Sequence, residues 1–328
     1  MKDNKKHKKA EYGILITGLI ILLAVACIIA LCAGQYSVSV PEVTKILASR
    51  FVNVTKTWSN TAEGVVFTLR LPRIIGAVLV GSALSLSGAA YQGVFKNPLV
   101  APDLLGVSSG ACVGASVAIL LHLNSFGVQA MAFVAGILAV GLTLFIPRLI
   151  KNTNMTMLVL SGIIVKGIMD SVMGIIKYVA DPETELQSIT YWQLGSLTKV
   201  LPKDLFTVGP VIVAASVIIF LLRWRINILS LGDREAKTLG VSVTVVRNFI
   251  IICATLLTAS AVCISGTIGW IGLVIPHFAR MLTGPDNMKV IPASILMGAI
   301  FMVVIDTLAR ALTSVELPLS ILTGIIGA

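Results

Sequence analysis

The chain has 328 residues, of which 56% are hydrophobic and only 12% are charged, and its net charge is +10. Because a soluble domain uses about 25% charged residues to cover its surface, this composition excludes an ordinary soluble protein and indicates a polytopic membrane protein. The basic residues are scattered through connecting segments, so they fit membrane topology better than nucleic-acid binding. The five cysteines lie in apolar runs without metal-ligand spacing, and we interpret them as packing residues.

Apolar runs of membrane length, separated by polar or Pro/Gly-rich joints, predict an all-α fold with about ten transmembrane helices. The predicted spans lie near residues 13–33, 72–93, 104–121, 126–147, 155–178, 206–222, 244–265, 268–282, 290–311 and 317–328. The first run resembles the core of a signal peptide, but its length favours a retained helix over a cleaved leader. The eighth run holds Gly269, Gly272 and Pro276, which favour a broken or partly re-entrant helix surrounded by protein. The tenth run is too short to cross, so either the span ends early or the chain continues beyond Ala328.

The lysine-rich N-terminus and the distribution of basic residues between the spans predict a cytoplasmic N-terminus. We therefore divide the chain into a basic cytoplasmic segment, 1–12, and a single transmembrane domain, 13–328. Two long outer segments, 34–71 and 179–205, are expected to form short surface helices. Dividing ten spans into two fives would invert the second half relative to the first. The similar stretches SGAAYQGVF and SGTIGWIGL support this inverted repeat as a hypothesis.

Small residues recur every four positions in two consecutive predicted spans. They are Gly81, Ser85, Ala89 and Gly93 in the first and Gly106, Gly110 and Gly114 in the second. Because side chains four apart share a helix face, each span presents a groove that another backbone can approach closely. The pattern is typical of helix packing in lipid, and lining of a pathway for a bulky solute is the alternative.

The longest cytoplasmic connection, 223–243, predicts a short capped helix. Ser230, followed three residues later by Asp233, matches a capping box. Gly240 stands where a C-terminal cap belongs, so the pattern predicts a helix over about 231–239. Such a helix either docks a partner protein or serves as a solvated linker.

Ionisable residues within the spans are few. Lys166 and Asp170 stand four apart in the fifth predicted span, and we expect them to form an intramembrane ion pair. Lining of a pathway and proton coupling are the alternatives for the same two residues. The sequence lacks a G-x-x-x-x-G-K-[ST] motif, so active transport would draw its energy from a gradient or from a partner ATPase. No nucleophile and base, and no paired carboxylates, recur at membrane depth, so we predict neither an enzyme nor a bound cofactor or metal.

Five blocks follow one another along the chain. They read LRLPRIIGAVLVGSALSLSGAAYQGVFKNPLVAPDLLGVSSGA, YWQLGSL, LGDREAKTLGV, GTIGWIGLVIPHFARMLTGPD and DTLARALTSVELPLSILTGIIGA. In this order they resemble the FecCD-type permeases, the membrane subunits of bacterial ABC importers for iron-siderophores, haem and cobalamin. The resemblance implies a ten-helix subunit of the cell membrane that pairs with a second permease, the same or a similar chain. It also implies two cytoplasmic ATPase subunits, which bind ATP and Mg²⁺, and an external substrate-binding protein.

The resemblance assigns roles residue by residue. The outer arginines Arg70, Arg73 and Arg310 would receive acidic residues of the binding protein, since guanidinium groups bind carboxylates well. The cytoplasmic coupling helix, which would fit a cleft on the ATPase, falls on Ser230, Leu231, Gly232, Asp233, Glu235, Ala236, Leu239 and Gly240. Lys166 and Asp170 depart from the family pattern, so the resemblance gives them no role.

The function expected from the sequence is ATP-driven import of an iron(III)-siderophore by alternating access. Haem and cobalamin are alternative cargoes within the same family. A gradient-driven secondary transporter that uses Lys166 and Asp170 is the alternative from another class.

Overall fold

The computed structural model describes residues 2–152, 154–313 and 315–328, and this part of the chain is helical without β-strands. The helices are α1 (Lys2–Cys32), α2 (Val40–Ala48), α3 (Asn60–Gly64), α4 (Leu71–Phe95), α5 (Val107–Leu120), α6 (Ser125–Leu149), α7 (Met155–Val179), α8 (Glu185–Leu194), α9 (Pro202–Leu231), α10 (Asp233–Thr238), α11 (Val243–Ser265), α12 (Ile271–Thr283), α13 (Asn287–Ala311) and α14 (Leu319–Gly327). A π-helical turn, Val65–Arg70, joins α3 to α4, and a 3-10 turn, Pro102–Leu105, precedes α5. Helix α1 begins at Lys2, so it includes the described part of the basic segment 1–12.

Each of the ten predicted apolar segments contains a helix, so the all-α polytopic fold is confirmed. Among the described residues, seven helical segments are long and apolar enough to cross a membrane: α1, the continuous α3–α4 segment, α6, α7, α9, α11 and α13. The helices α5, α12 and α14 are shorter, with 14, 13 and 9 residues. The outer segments hold the predicted short helices, which are α2, α3 and α8. The inverted repeat stays a prediction.

The broken helix predicted in the eighth apolar run is present, since α12 begins only at Ile271. The preceding residues leave the helical conformation at Gly266, whose φ of +69° is a left-handed value that glycine adopts readily. Their backbone packs on the end of α8: Ser196 N donates to Ser265 O at 2.8 Å, and the Thr267 hydroxyl donates to Gln193 O. Irregular backbone at membrane depth is tolerated where protein supplies such partners.

The helices α4 and α11 form the centre of the bundle. In each, 78% of the most apolar window is buried inside the protein, against 17% for α1. The polar side chains between them are paired: Ser87 Oγ lies 2.8 Å from Thr258 Oγ1, and Tyr91 Oη lies 3.0 Å from Thr255 Oγ1. Since hydrocarbon offers no hydrogen-bond partners, such internal pairing is required of polar groups at this depth.

Different helix termini lie at the two ends of the bundle. At one end, the α10 end, Tyr12 of α1 donates to Lys289 O, and Lys96 after α4 lies 3.1 Å from Asp233 of α10. At the other, the arginine end, the C-terminus of α1 meets Arg70 and Arg310. The segments predicted to be cytoplasmic therefore lie together at the α10 end, and the predicted outer arginines lie at the opposite end.

Candidate functional site

The three predicted docking arginines converge at the arginine end, where each has a partner within the chain. Arg73 Nε donates to both Asp306 carboxylate oxygens, at 2.8 and 2.9 Å, and Arg73 Nη1 lies 2.7 Å from Glu316 Oε1. Arg70 Nη1 donates to the carbonyl of Leu31 at 2.6 Å, and Arg70 Nη2 donates to the carbonyl of Tyr36, just after α1. Arg310 donates to two carbonyls at the end of α1. The guanidinium groups of Arg70 and Arg310 therefore complete the C-terminus of α1, which would otherwise leave carbonyl groups unsatisfied.

This geometry corrects the expectation that Arg70, Arg73 and Arg310 present free guanidinium groups to a binding protein. Their exposed fractions are only 5%, 8% and 8%. Long-range partners explain the difference, since Asp306 is buried beside Arg73 and carbonyls of α1 lie beside the other two arginines. In this structure the three residues hold α1, α4 and α13 together.

Glu316 is the most accessible member of this cluster. Burial raises the pKa of its carboxyl, but hydrogen bonds from Arg73 and Thr198 and the positive charge nearby outweigh burial, so its pKa lies below the ordinary value. Its second oxygen accepts from the Thr198 hydroxyl at 2.5 Å. Glu316 thus joins the start of α4 to the segment after α8 and stays ionised at neutral pH.

The predicted capping box at Ser230 is wrong. Helix α9 continues through this position to Leu231, and Ser230 Oγ donates to Ile226 O in its own helix and to Gly93 O on α4. The break falls at Gly232, whose φ of +144° suits glycine alone. Packing of α9 against α4 thus moves the start of the short helix to Asp233.

The helix α10 is anchored on one side and exposed on the other. Ala236 is fully buried, whereas Leu231 and Leu239, on either side of α10, are 65% and 57% exposed. Asp233 accepts from Arg247 Nη2 at 2.8 Å and from Lys96 Nζ at 3.1 Å. The hydrogen bond from Arg247 is the largest influence and lowers the pKa of Asp233; burial opposes it and Lys96 reinforces it. The predicted C-terminal glycine, Gly240, has a φ of +75°.

Two further residues of the predicted coupling segment lie at this end. Gly232 precedes α10, and Glu235 lies in its first turn and places its carboxylate close to Gly232. Both positions lie within the predicted range 231–239, where the structure has the short helix α10, although the capping pattern misplaced its start.

Most residues of the small-residue stripes lie at close helix contacts. A Cβ atom added at Gly81 would meet the Gly298 carbonyl of α13, and one at Gly110 would lie 2.5 Å from the Ala139 Cβ of α6. Gly114 likewise faces α6, where the Ala135 Cβ would be 2.6 Å away. Helices that approach this closely exclude side chains larger than hydrogen from the contact.

The remaining stripe residues divide into two groups. Ser85 and Ala89 are fully buried on α4, and Gly93 faces Ile226 of α9. Gly106 is not on the predicted stripe, because its φ of +82° ends the 3-10 turn before α5 begins. Helical spacing placed Gly106 on a helix face, whereas the chain uses it as a turn.

The predicted ion pair between Lys166 and Asp170 is also wrong. Lys166 Nζ lies 3.2 Å from Asp103 Oδ2, in the 3-10 turn that packs against α7. Asp170 makes no ion pair or hydrogen bond with the described residues. Asp103, which lies 63 positions away in the sequence, is closer to Lys166 than Asp170 is on the next helical turn. The local spacing of Lys166 and Asp170 could not reveal this partner.

A cavity of about 420 Å³ lies among α4, α5, α7, α8, α11 and α12. Its polar lining comprises Asp103, Ser108, Ser109, Asp170, Gln193, Thr258 and Thr267. Trp270 also lines it, in a left-handed conformation with a φ of +70°. Sequence reasoning singled out only Asp170 of this set, because the other residues come together from separate elements.

Comparison with known proteins gives consistent matches over nearly the whole chain. The model of the FecCD transport family matches residues 22–328. The molybdate import system permease protein MolB of Haemophilus influenzae is 37% identical over 319 residues, covering 97% of this chain and 94% of the relative. A probable iron chelatin transport system permease protein of Helicobacter pylori is 40% identical over 264 residues, covering 80% of each chain. The cobalamin import system permease protein BtuC of Halobacterium salinarum is 38% identical over 270 residues, covering 82% of this chain and 72% of the relative.

A solved structure, an inward-facing conformation of an ABC transporter of the metal-chelate type, matches with a TM-score of 0.86 and 35% identity, covering 96% of each chain. The chain is thus a multi-pass membrane protein, of the inner membrane in bacteria, and ATP hydrolysis belongs to a separate subunit. The chain belongs to the FecCD transport family and is a permease of ABC importers.

Proposed function

We propose that this permease imports an iron(III)-siderophore by ATP-driven alternating access. The family relatives transport molybdate, iron chelates, cobalamin and haemin according to their names, so membership alone leaves the cargo open. One of the relatives described above, the iron chelatin permease of Helicobacter pylori, supports an iron chelate. Haem and cobalamin are the alternative cargoes.

The observation that carries the mechanism is the exposed apolar surface at the α10 end. Leu231 and Leu239 expose most of their side chains, although Ala236 between them is buried. Two large apolar side chains that flank a short anchored helix suit insertion into a cleft of a partner protein. In the proposed complex the partner is the cytoplasmic ATPase, and its nucleotide-driven closure moves α10 and, through Gly232, the long helix α9.

The complete importer in this proposal contains two permease chains, two ATPase subunits and a binding protein. The permeases are two copies of this chain or this chain with a similar one. ATP and Mg²⁺ bind on the ATPase subunits, and this chain binds no cofactor. The binding protein lands on the arginine end, where the buried arginine cluster fixes the shape of the landing surface through α1, α4 and α13.

Reconstitution tests this function. The permease, its ATPase and its binding protein are placed in proteoliposomes, and uptake of a ⁵⁵Fe-labelled siderophore is measured with ATP. We expect uptake that requires all three components and is abolished by vanadate. Uptake by the permease alone that an uncoupler abolishes would instead establish a gradient-driven transporter. That alternative has lost its main structural basis, since Lys166 pairs with Asp103 and not with Asp170.

A further inference from the structure

The charged side chains that line the cavity among α4, α5, α7, α8, α11 and α12 are all acidic. Among its lining residues the only charged side chains are two carboxylates, Asp103 and Asp170. Lys166, which does not line the cavity, neutralises Asp103 at 3.2 Å. Asp170 has no such partner among the described residues, so the cavity keeps one negative charge.

The rest of the lining is neutral. Ser108, Ser109, Gln193 and Thr267 offer hydroxyl and amide groups, and Trp270 adds an aromatic ring. No Arg, Lys or His lines the cavity to bind an oxyanion, although such groups are the usual ligands of anions in proteins. The surface therefore accepts hydrogen-bond donors and positive charge and repels negative charge.

A structural role does not explain Asp170. A carboxylate within a membrane-spanning helix is costly to bury in lipid, so such residues face a cavity, a partner or a pathway. Asp170 is exposed in this chain and lines the cavity without an internal partner. Its surroundings thus match those of a group that meets water or a solute.

We propose that this cavity is a charge-selecting segment of the transport path. Asp170, with Asp103 held by Lys166, makes the segment favour iron(III) chelates of zero or positive net charge and disfavour anionic cargo such as molybdate. The proposal rests on the proposed importer function and adds the charge class of the cargo.

The charge of the cavity can be measured without any cargo. Cys112 lines the cavity and serves as a reporter thiol once the partly exposed Cys27 and Cys32 are replaced by alanine. In membrane vesicles that hold the complete importer, the thiol is labelled with a trimethylammonium-ethyl or a sulfonato-ethyl methanethiosulfonate. Each reagent forms a mixed disulfide with the thiol and releases methanesulfinate, so only the charge of the transferred group differs.

The ratio of the cationic to the anionic rate is divided by the same ratio for a small free thiol, because the attacking thiolate itself favours the cationic reagent. We expect this normalised ratio to be about ten, because a single charge in a cleft concentrates counter-ions by roughly this factor. Asp170→Asn should reduce this ratio at least threefold. The matched control Glu183→Gln removes an exposed carboxylate in the loop before α8 and should leave the ratio unchanged. A normalised ratio of one or below, or a ratio that Asp170→Asn leaves unaltered, would overturn the proposal.

A second reporter guards against a poorly reactive Cys112. Ser109→Cys in a Cys112→Ala background places a thiol on the same cavity wall, one helical turn away. It should show the same preference and the same dependence on Asp170. If neither thiol reacts with either reagent in any nucleotide state, the cavity is closed to solutes and the proposal fails.

Uptake separates this proposal from the proposed function. The probe is the iron(III) complex of desferrioxamine B, which carries a free ammonium group, in proteoliposomes with the ATPase and a binding protein that accepts this complex. Asp170→Lys should lower its uptake about tenfold, whereas Glu183→Gln keeps the wild-type rate. Wild-type importer that moves molybdate and no iron chelate would refute both the proposed cargo and the charge selection, whereas uptake of cobalamin and no iron chelate would refute the proposed cargo alone. Full uptake by Asp170→Lys would refute the charge selection alone.

Discussion

The arginine end and the α10 end use charged and apolar residues in opposite ways. At the arginine end three arginines are buried and bonded to carboxylates and helix-end carbonyls. At the α10 end the ion pairs of Asp233 are partly exposed, and the conspicuous exposed groups are Leu231 and Leu239. Charge therefore holds helices together at one end, whereas apolar surface is exposed at the other.

The difference shows that residue type alone does not locate a docking surface. Arginines outside a membrane suggest docking, yet these side chains are buried and bonded to other residues of the same chain. Leucines beside a short helix suggest packing, yet among the described residues these two leave most of their side chains exposed. Exposure, and not chemical character, separates a structural group from an interface group at both ends.

The strongest test of the comparison removes the buried carboxylate at the arginine end. Asp306→Ala leaves Arg73 and Arg310 without their shared counter-charge, and breaking a buried pair in this way costs about 3–5 kcal/mol. We expect a large fall in the thermal unfolding midpoint in detergent. Glu63→Ala, which breaks the exposed pair with Lys56, is the matched control and should change the midpoint little. Equal effects of the two variants would remove the distinction between buried and exposed charge.

A smaller effect is expected between the two ends, where α4 and α13 touch. Gly81→Ala would press a methyl group onto the Gly298 carbonyl and to 2.5 Å from the Met302 Cβ. Because backbone cannot yield as a flexible side chain does, we expect a loss of about 1–3 kcal/mol in the free energy of unfolding. Gly174→Ala has open space around it and should stabilise α7 slightly. An unaffected Gly81→Ala variant would show that the helices can separate, and that the two ends are not joined rigidly.

At the α10 end, Leu231→Asp with Leu239→Asp should scarcely alter the unfolding of the permease itself, by about 0.5 kcal/mol or less, since both side chains are exposed. The affinity for the ATPase should fall about 100-fold or more, because each buried leucine contributes about 1.5–3 kcal/mol. Co-purification and binding measurements check this result. Leu312→Asp changes an equally exposed leucine after α13, at the arginine end, and should leave ATPase binding intact. An ATPase complex that survives the double substitution would contradict the docking role of α10.

The smallest effect is the pH dependence of the α10 end. The pKa of Asp233 lies below its ordinary value of 3.8, so its bonds to Arg247 and Lys96 stabilise α10 fully above that value. They are lost as the pH falls through the lowered pKa. As the pH falls through this range, hydrogen exchange of the α10 amides, corrected for the intrinsic rate, should become faster. The increase should correspond to a loss of less than about 1 kcal/mol in the local stability of α10. Asp233→Asn should abolish the dependence, and exchange that rises equally in this variant would assign the effect to another group.

The sequence predicts most of the architecture because hydropathy is a local property. All ten apolar segments contain a helix, and the short helix predicted in the connection 223–243 is present as α10. The errors share one cause, which is that partners distant in sequence override local spacing. Ser230 donates a hydrogen bond to Gly93 O on α4 instead of capping a helix. Lys166 pairs with Asp103 and not with Asp170, and Arg310 donates to a carbonyl at the end of α1. The cavity escaped prediction for the same reason, since its lining comes from many elements.

The arginines at the end of α1 also constrain how the protein is assembled. The carbonyls of Ala30 and Ala33 receive their donors from Arg310, about 280 residues later in the chain. During synthesis the first helix therefore enters the bilayer with an unfinished terminus that water or lipid headgroups must satisfy. Arg70 supplies part of the cap once α4 has been inserted, but the cap of the first helix is complete only after the insertion of α13, late in biogenesis.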